Sequence, residues 1–97
     1  MFARVSFYNL DNASRDDAVR AFEDARGPVE QMQGNQGGML LVSPETGKAI
    51  TITFWESDEA LQATQHHASQ TRQQAASSAG MEIANVEAYE VALEFGR

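Results

Sequence analysis

The sequence predicts an α+β domain whose elements follow in the order β-α-β-β-α-β. Three observations carry this. The stretch from Gly47 to Ala63, GKAITITFWESDEALQA, changes abruptly from strand alternation to a capped helix. A helical stripe of apolar residues lies between the first apolar segment and a glycine-rich run. A last segment rich in valine and aromatic residues follows a glycine that closes the second helix.

Phe2 to Asn9 reads as the first strand, with Ala3, Val5, Phe7 and Asn9 on one face and Phe2, Arg4, Ser6 and Tyr8 on the other. Asp11-Asn12 breaks it. A helix starts near Ser14, with Asp17 three residues on as a variant capping box. Its inward stripe is Ala18, Ala21, Phe22, Ala25 and Val29, and Gly27-Pro28 bends or ends it, with a short turn continuing towards Met32. The run Gly34-Asn35-Gln36-Gly37-Gly38 lacks the lysine and hydroxyl of a phosphate-cradling loop, so it reads as a flexible loop or bulge. Met39 to Ser43 is a short second strand, joined to the third through the turn Pro44-Glu45-Thr46-Gly47.

Ala49 to Trp55 is β-branched and aromatic, which suits a pleated, half-buried surface. Ile50, Ile52 and Phe54 point one way; Ala49, Thr51, Thr53 and Trp55 point the other. Ser57, Asp58 and Glu59 then cap a second helix from about Asp58 to Ser78, with a weakly hydrophobic stripe of Leu61, Thr64, Ala68, Thr71 and Ala75. A helix of such small residues either sits close to its sheet or leaves room above it. Met81 to Phe95 is the last and longest strand, with a bulge expected near Asn85. The order is the split βαβ or ferredoxin-like arrangement: a four-stranded antiparallel sheet with two helices on one face. The other face, left bare, exposes an apolar patch that a second copy is expected to cover.

Ninety-seven residues make a single domain, 1–97, with a modest core. No cysteine is present, which excludes disulfides and thiolate zinc sites. A net charge of −7 argues against nucleic acid and anionic membrane surfaces. No signal peptide or bilayer-spanning stretch is visible, so a cytoplasmic location is expected.

The element order, the length, the junction Trp55-Glu56-Ser57-Asp58-Glu59-Ala60-Leu61 and the closing Val86-Glu87-Ala88-Tyr89-Glu90-Val91 together resemble the dimeric α+β barrel superfamily. Within it the chain is similar to antibiotic biosynthesis monooxygenase-like domains. The resemblance implies a homodimer whose two sheets close into a barrel, with small hydrophobic ligands held between sheet and helices. It implies cofactor-independent oxygenation of phenols or quinones, or haem degradation. Asn9 matches the first-strand asparagine of the haem-degrading relatives. Their helical tryptophan falls near Thr64 and their histidine near Gln74, so both are replaced here.

The residues themselves offer no nucleophilic triad. His66 and His67 point about a hundred degrees apart on a helix and do not chelate one metal from the same face. His66 lies opposite the apolar stripe; His67 lies at its edge, where it serves either as a base near neutral pH or as a half-solvated side chain. Arg72 reads as a surface residue with its stem packed down. The resulting expectation is a monooxygenase that needs no cofactor or metal, acting on a small aromatic substrate. His67 and Asn9 are its catalytic candidates, and Trp55, Tyr89 and Phe22 its substrate contacts. The alternative is a dimeric ligand-binding or structural barrel without turnover. Haem binding through His66 or His67 is a third reading.

Overall fold

Strand β1 (Phe2–Asn9) lies inside the sheet in the computed structural model, which describes residues 1–96. It pairs antiparallel with β3 (Lys48–Trp55) on one side and β4 (Glu82–Glu90) on the other, and β2 (Asn35–Ser43) completes the order β2-β3-β1-β4. This is the expected ferredoxin-like sheet. Helix α1 (Arg15–Glu30), a short α2 (Asp58–Ala63) and α3 (Gln65–Ala79) supply the helical layer. No helix among the described residues is long and apolar enough to cross a membrane.

Register decides which face carries the helices. Arg4 is opposite Thr53, Ser6 opposite Thr51 and Tyr8 opposite Ala49. Directly opposed residues share a face. Arg4, Ser6, Tyr8, Ala49 and Trp55 are all buried, so this is the helix-covered side. The isoleucine face is the bare one. Val5 opposes Ile52 and Phe7 opposes Ile50, and Met39 and Leu41 beside them on β2 are 46% and 45% exposed.

The capping box is present in full. Asp17 N donates to Ser14 Oγ at 3.1 Å, and Ser14 N donates to Asp17 Oδ2 at 2.9 Å. Gly27-Pro28 does not end α1. Proline falls in the last turn, and Gln31 N still reaches Gly27 O at 3.2 Å, so the helix closes over it.

The second helix is not continuous; it breaks at Thr64. In an unbroken helix Leu61 O accepts the amide one turn on. Here it receives Arg4 Nη2 and, at 3.2 Å, Thr64 Oγ1. Strand β2 begins at Asn35, earlier than Met39, because the Asn35 side chain bridges the irregular register there. Its Oδ1 accepts from Gly37 N at 3.1 Å and its Nδ2 donates to Phe54 O at 3.2 Å. The bulge in the last strand falls at Ala84, beside the expected Asn85. β4 stops at Glu90 rather than Phe95, because β1 offers no partner beyond its first residues: Glu90 pairs with Phe2, and Val91 N donates the closing bond to Met1 O at 2.9 Å.

Candidate functional site

The core is divided into two clusters. Tyr8, Leu10, Ala18, Ala49, Ala76 and Met81 pack at one end of the sheet, and Met32, Trp55, Leu61 and Ala68 at the other. Between them the strands present Arg4, Ser6, Thr51 and Thr53, while the helices opposite present Ala25, Ala68 and Thr71. Side chains this small do not meet across the layers. They leave a cavity of about 620 Å³ between the sheet and helices α1 and α3. That lies within the range of small-molecule sites.

Aromatic side chains wall the cavity. Trp55 is fully buried and its Nε1 donates to Thr53 Oγ1 at 3.0 Å. Phe22 from α1 meets the Tyr8 ring with centroids 5.3 Å apart and planes tilted by 60°. The Tyr8 hydroxyl lies 3.1 Å from Thr51 Oγ1. Burial raises the Tyr8 phenol above the ordinary tyrosine value, against the lowering effect of hydrogen bonds from Thr51 and Ser6 and of nearby Arg72. Tyr8 therefore keeps its proton at neutral pH and is available as a donor.

The floor is cationic. Arg4 is only 5% exposed, stacks with its guanidinium carbon 5.0 Å from the Trp55 ring centroid, and lends Nη2 to Leu61 O. Burial, and then the charge of Arg72, lowers its pKa to about 10. Arg72 on α3 is half-buried, lines the same cavity and is also lowered by burial.

The structure separates the residues singled out from the sequence. Trp55 and Phe22 line the cavity together. His67 does not. It lines a second hollow, between the C-terminal end of α1 and the α2–α3 break, beside Pro28, Met32 and Thr64. His66 is exposed. Asn9 lies at the end of β1 on the bare face, where its Nδ2 donates to Glu82 Oε1 at 2.9 Å. Tyr89 stands 47% exposed on the bare face, bonded to Glu87. Arg72, expected at the surface with its stem packed down, is half-buried and lines the cavity. Arg4 went unselected, although an arginine on the same strand face as Phe2 and Tyr8 was a visible signal. No group of three or more His, Cys, Asp or Glu able to hold a metal ion occurs among the described residues.

An antiparallel sheet in the order β2-β3-β1-β4 with its helices on one face and a cavity beneath them defines a ferredoxin-like α+β domain. The sequence profile of the antibiotic biosynthesis monooxygenase family matches residues 1–77, and the chain belongs to that family. No curated protein sequence matches the chain. Among solved structures, the fold is similar to SnoaB, a cofactor-independent oxygenase from Streptomyces nogalater, at 9% identity and TM-score 0.75, covering 99% of this chain and 97% of that one. It is also similar to the R26S mutant of MhuD with two manganese protoporphyrin IX bound per active site, at 22% identity and TM-score 0.71, covering all of both chains. A heme-degrading protein from Mycobacterium tuberculosis is 24% identical with TM-score 0.66, covering 98% of each chain.

Proposed function

We propose that the chain is an oxygenase for a small phenolic or quinone-type aromatic held between the sheet and helices α1 and α3. The observation that supports this reading is the cavity of about 620 Å³ with Trp55 and Phe22 in its walls. Family membership and the fold shared with a cofactor-independent oxygenase point the same way. Phe22, half-buried, supplies flat apolar surface to the ring, with Trp55 packed behind Arg4 in the wall. Tyr8 offers its hydroxyl to a ring oxygen. An anthrone-type ring gives up a proton from its methylene carbon to solvent water to form an enolate. That carbon adds O2, the peroxide anion formed takes a proton back from water, and the hydroperoxide loses water. One oxygen atom stays as the new carbonyl and the other leaves as water.

Haem does not fit this cavity as an axially ligated group. Among the described residues no histidine lines it; His66 is exposed and His67 faces the separate hollow. No step is therefore assigned to haem. We propose also that a second copy covers the bare sheet face, as the resemblance to dimeric barrels implies.

Oxygen uptake with an anthrone or hydroquinone probe tests the oxygenase reading. Uptake faster than in buffer, lost in Phe22→Ala and Trp55→Leu but retained in His67→Ala, is the expected result. Uptake no faster than buffer overturns it and leaves the non-catalytic binding role, which thermal stabilisation by the same probes reads out.

A further inference from the structure

The cavity floor holds two guanidinium groups with no counter-charge. Three ion pairs form among the described residues: Arg15 with Asp16, Arg20 with Asp17, and Arg26 with Glu30. Neither Arg4 nor Arg72 is among them. Arg4 Nη1 is closed off from solvent and has no hydrogen-bond partner, while Nη2 on the same group is held by Leu61 O. Buried charges in folded proteins are ordinarily paired, because an isolated one is expensive to desolvate. A chain with fourteen acidic residues had ample means to pair these two. The acids that do reach the cavity, Glu23 and Glu30, are exposed on α1, and Glu30 is taken by Arg26.

The placement is specific. Arg4, Ser6 and Tyr8 alternate on one face of β1, so their side chains are spaced about 7 Å apart along the strand. Arg72 comes down from α3 close enough to act on both Arg4 and Tyr8. Two cations and two hydroxyls therefore share one floor, beneath apolar walls. We propose that this floor is an oxyanion site: the aromatic ligand carries an acidic oxygen, a carboxylate or an ionised phenol, that sits against Arg4 and Arg72 while its ring lies along Phe22, close to Trp55. A rotation of the guanidinium turns Nη1 from its closed-off position towards the bound oxygen, the acceptor it lacks. Guanidinium binds carboxylate and phenolate through charge-assisted hydrogen bonds that survive salt better when buried.

This rests on the aromatic-cavity reading, and the test separates the two. Trp55 is the only tryptophan, so its fluorescence reports occupancy directly. The probes are 2-naphthoate, its neutral methyl ester and 2-naphthol, titrated against the full chain. The acid is expected to bind about tenfold tighter than the ester, the gain of one charge-assisted bond. Arg72→Gln, at a half-buried position without a hydrogen bond to lose, is expected to remove most of that preference while ester affinity stays. Arg4→Met, checked for folding by circular dichroism, is expected to remove it as well. A preference for 2-naphthol that rises with pH through the naphthol pKa identifies a phenolate as the preferred source; a preference for the acid alone identifies a carboxylate. Equal binding of acid and ester, or a preference that Arg72→Gln leaves intact, overturns the oxyanion site and leaves the aromatic cavity standing. Quenching by none of the probes overturns both.

Discussion

The guanidinium of Arg4 lies over the ring of Trp55, 5.0 Å from its centroid, and ties β1 to the carbonyl of Leu61 where the second helical segment breaks. One residue thus joins the sheet, the buried tryptophan and the α2–α3 break. Its two roles differ in energy. Stacking and the bond to Leu61 stabilise, whereas the unpaired charge opposes folding. Arg4→Met keeps a long side chain against Trp55 and removes the charge, while Thr64 Oγ1 still serves Leu61 O at 3.2 Å. Its stability is expected to lie within about 1 kcal/mol of the parent, since apolar replacement of buried charge is often neutral or better. Trp55→Ala empties the centre of one core cluster and is expected to lose about 3–5 kcal/mol. Urea midpoints compare them; an Arg4→Met loss as large as that of Trp55→Ala would make the guanidinium a net stabiliser.

The alkaline limb separates Tyr8 from Arg4. Tyr8 is raised by burial, so the folded state keeps this proton to higher pH than the unfolded chain. Its stabilisation is full below the ordinary tyrosine value and lost as pH rises through the raised one. Arg4 runs the other way. Its pKa of about 10 lies below the ordinary arginine value, so its penalty is full below that pH and relieved above it. The two oppose each other over one window. Tyr8→Phe deletes only the first, and its stability relative to the parent is expected to climb as pH rises above the ordinary tyrosine value. Tyr89, whose hydroxyl is held by Glu87 and also raised, is common to both proteins and cancels. A pH-independent difference in urea midpoint would show that burial does not control Tyr8.

Most of the fold was legible because it is local. The Ser14 and Ser57 caps, the alternation from Ala49 to Trp55 and the glycine after Ala79 each act within a few residues. What was not legible depends on partners far along the chain. The break at Thr64 needs Arg4, fifty-seven residues before Leu61, to claim a carbonyl. The end of β4 at Glu90 is fixed by where β1 begins, while Leu93 and Phe95 keep their strand-like pattern with no neighbour to pair with. The cavity followed the same division. The small residues of the second helix were visible as a reason for space above the sheet. That the space is floored by Arg4 and Arg72, rather than bordered by His67, depends on the helix-to-strand registry.

The glycine-rich run, read as a flexible loop or bulge, holds the irregular register between Asn35 and Gly38 and also a tight contact. Gly34 has φ +86°, and a Cβ there would stand 2.5 Å from Ala60 Cβ and 3.3 Å from Glu56 Cγ. The close approach lets Gly34 O accept Glu56 N at 2.9 Å, which seats the start of α2 against β2. Gly80 has a similar φ of +83° with open space around it. Gly80→Ala is therefore expected to cost only the left-handed backbone term, about 1 kcal/mol. Gly34→Ala carries that term and the clash, and about 2–4 kcal/mol in all is expected. Equal losses in thermal or urea unfolding would mean that α2 moves aside without cost.

The bare face of the sheet supplies the last prediction. Leu41, Ile50 and Phe7 form one row across β2, β3 and β1, and Met39, Ile52 and Val5 form the next. The helices are spent on the opposite face, so no helix among the described residues covers these rows. Their polar border is Asn85 and Glu87 on β4. A face of this composition is stabilised by a second apolar sheet, and a copy of the chain carries one. Light scattering at micromolar concentration is expected to give the mass of two chains. Ile50→Glu puts a carboxylate at the centre of the row, where an unpaired buried charge is strongly opposed. It is expected to shift the mass to one chain while the far-ultraviolet circular dichroism holds. The cavity lies on the other side of the sheet, so quenching of Trp55 by aromatic probes is expected to survive in that monomer. A parent protein that scatters as a monomer would refute the pairing, and a dimeric Ile50→Glu would move the interface elsewhere.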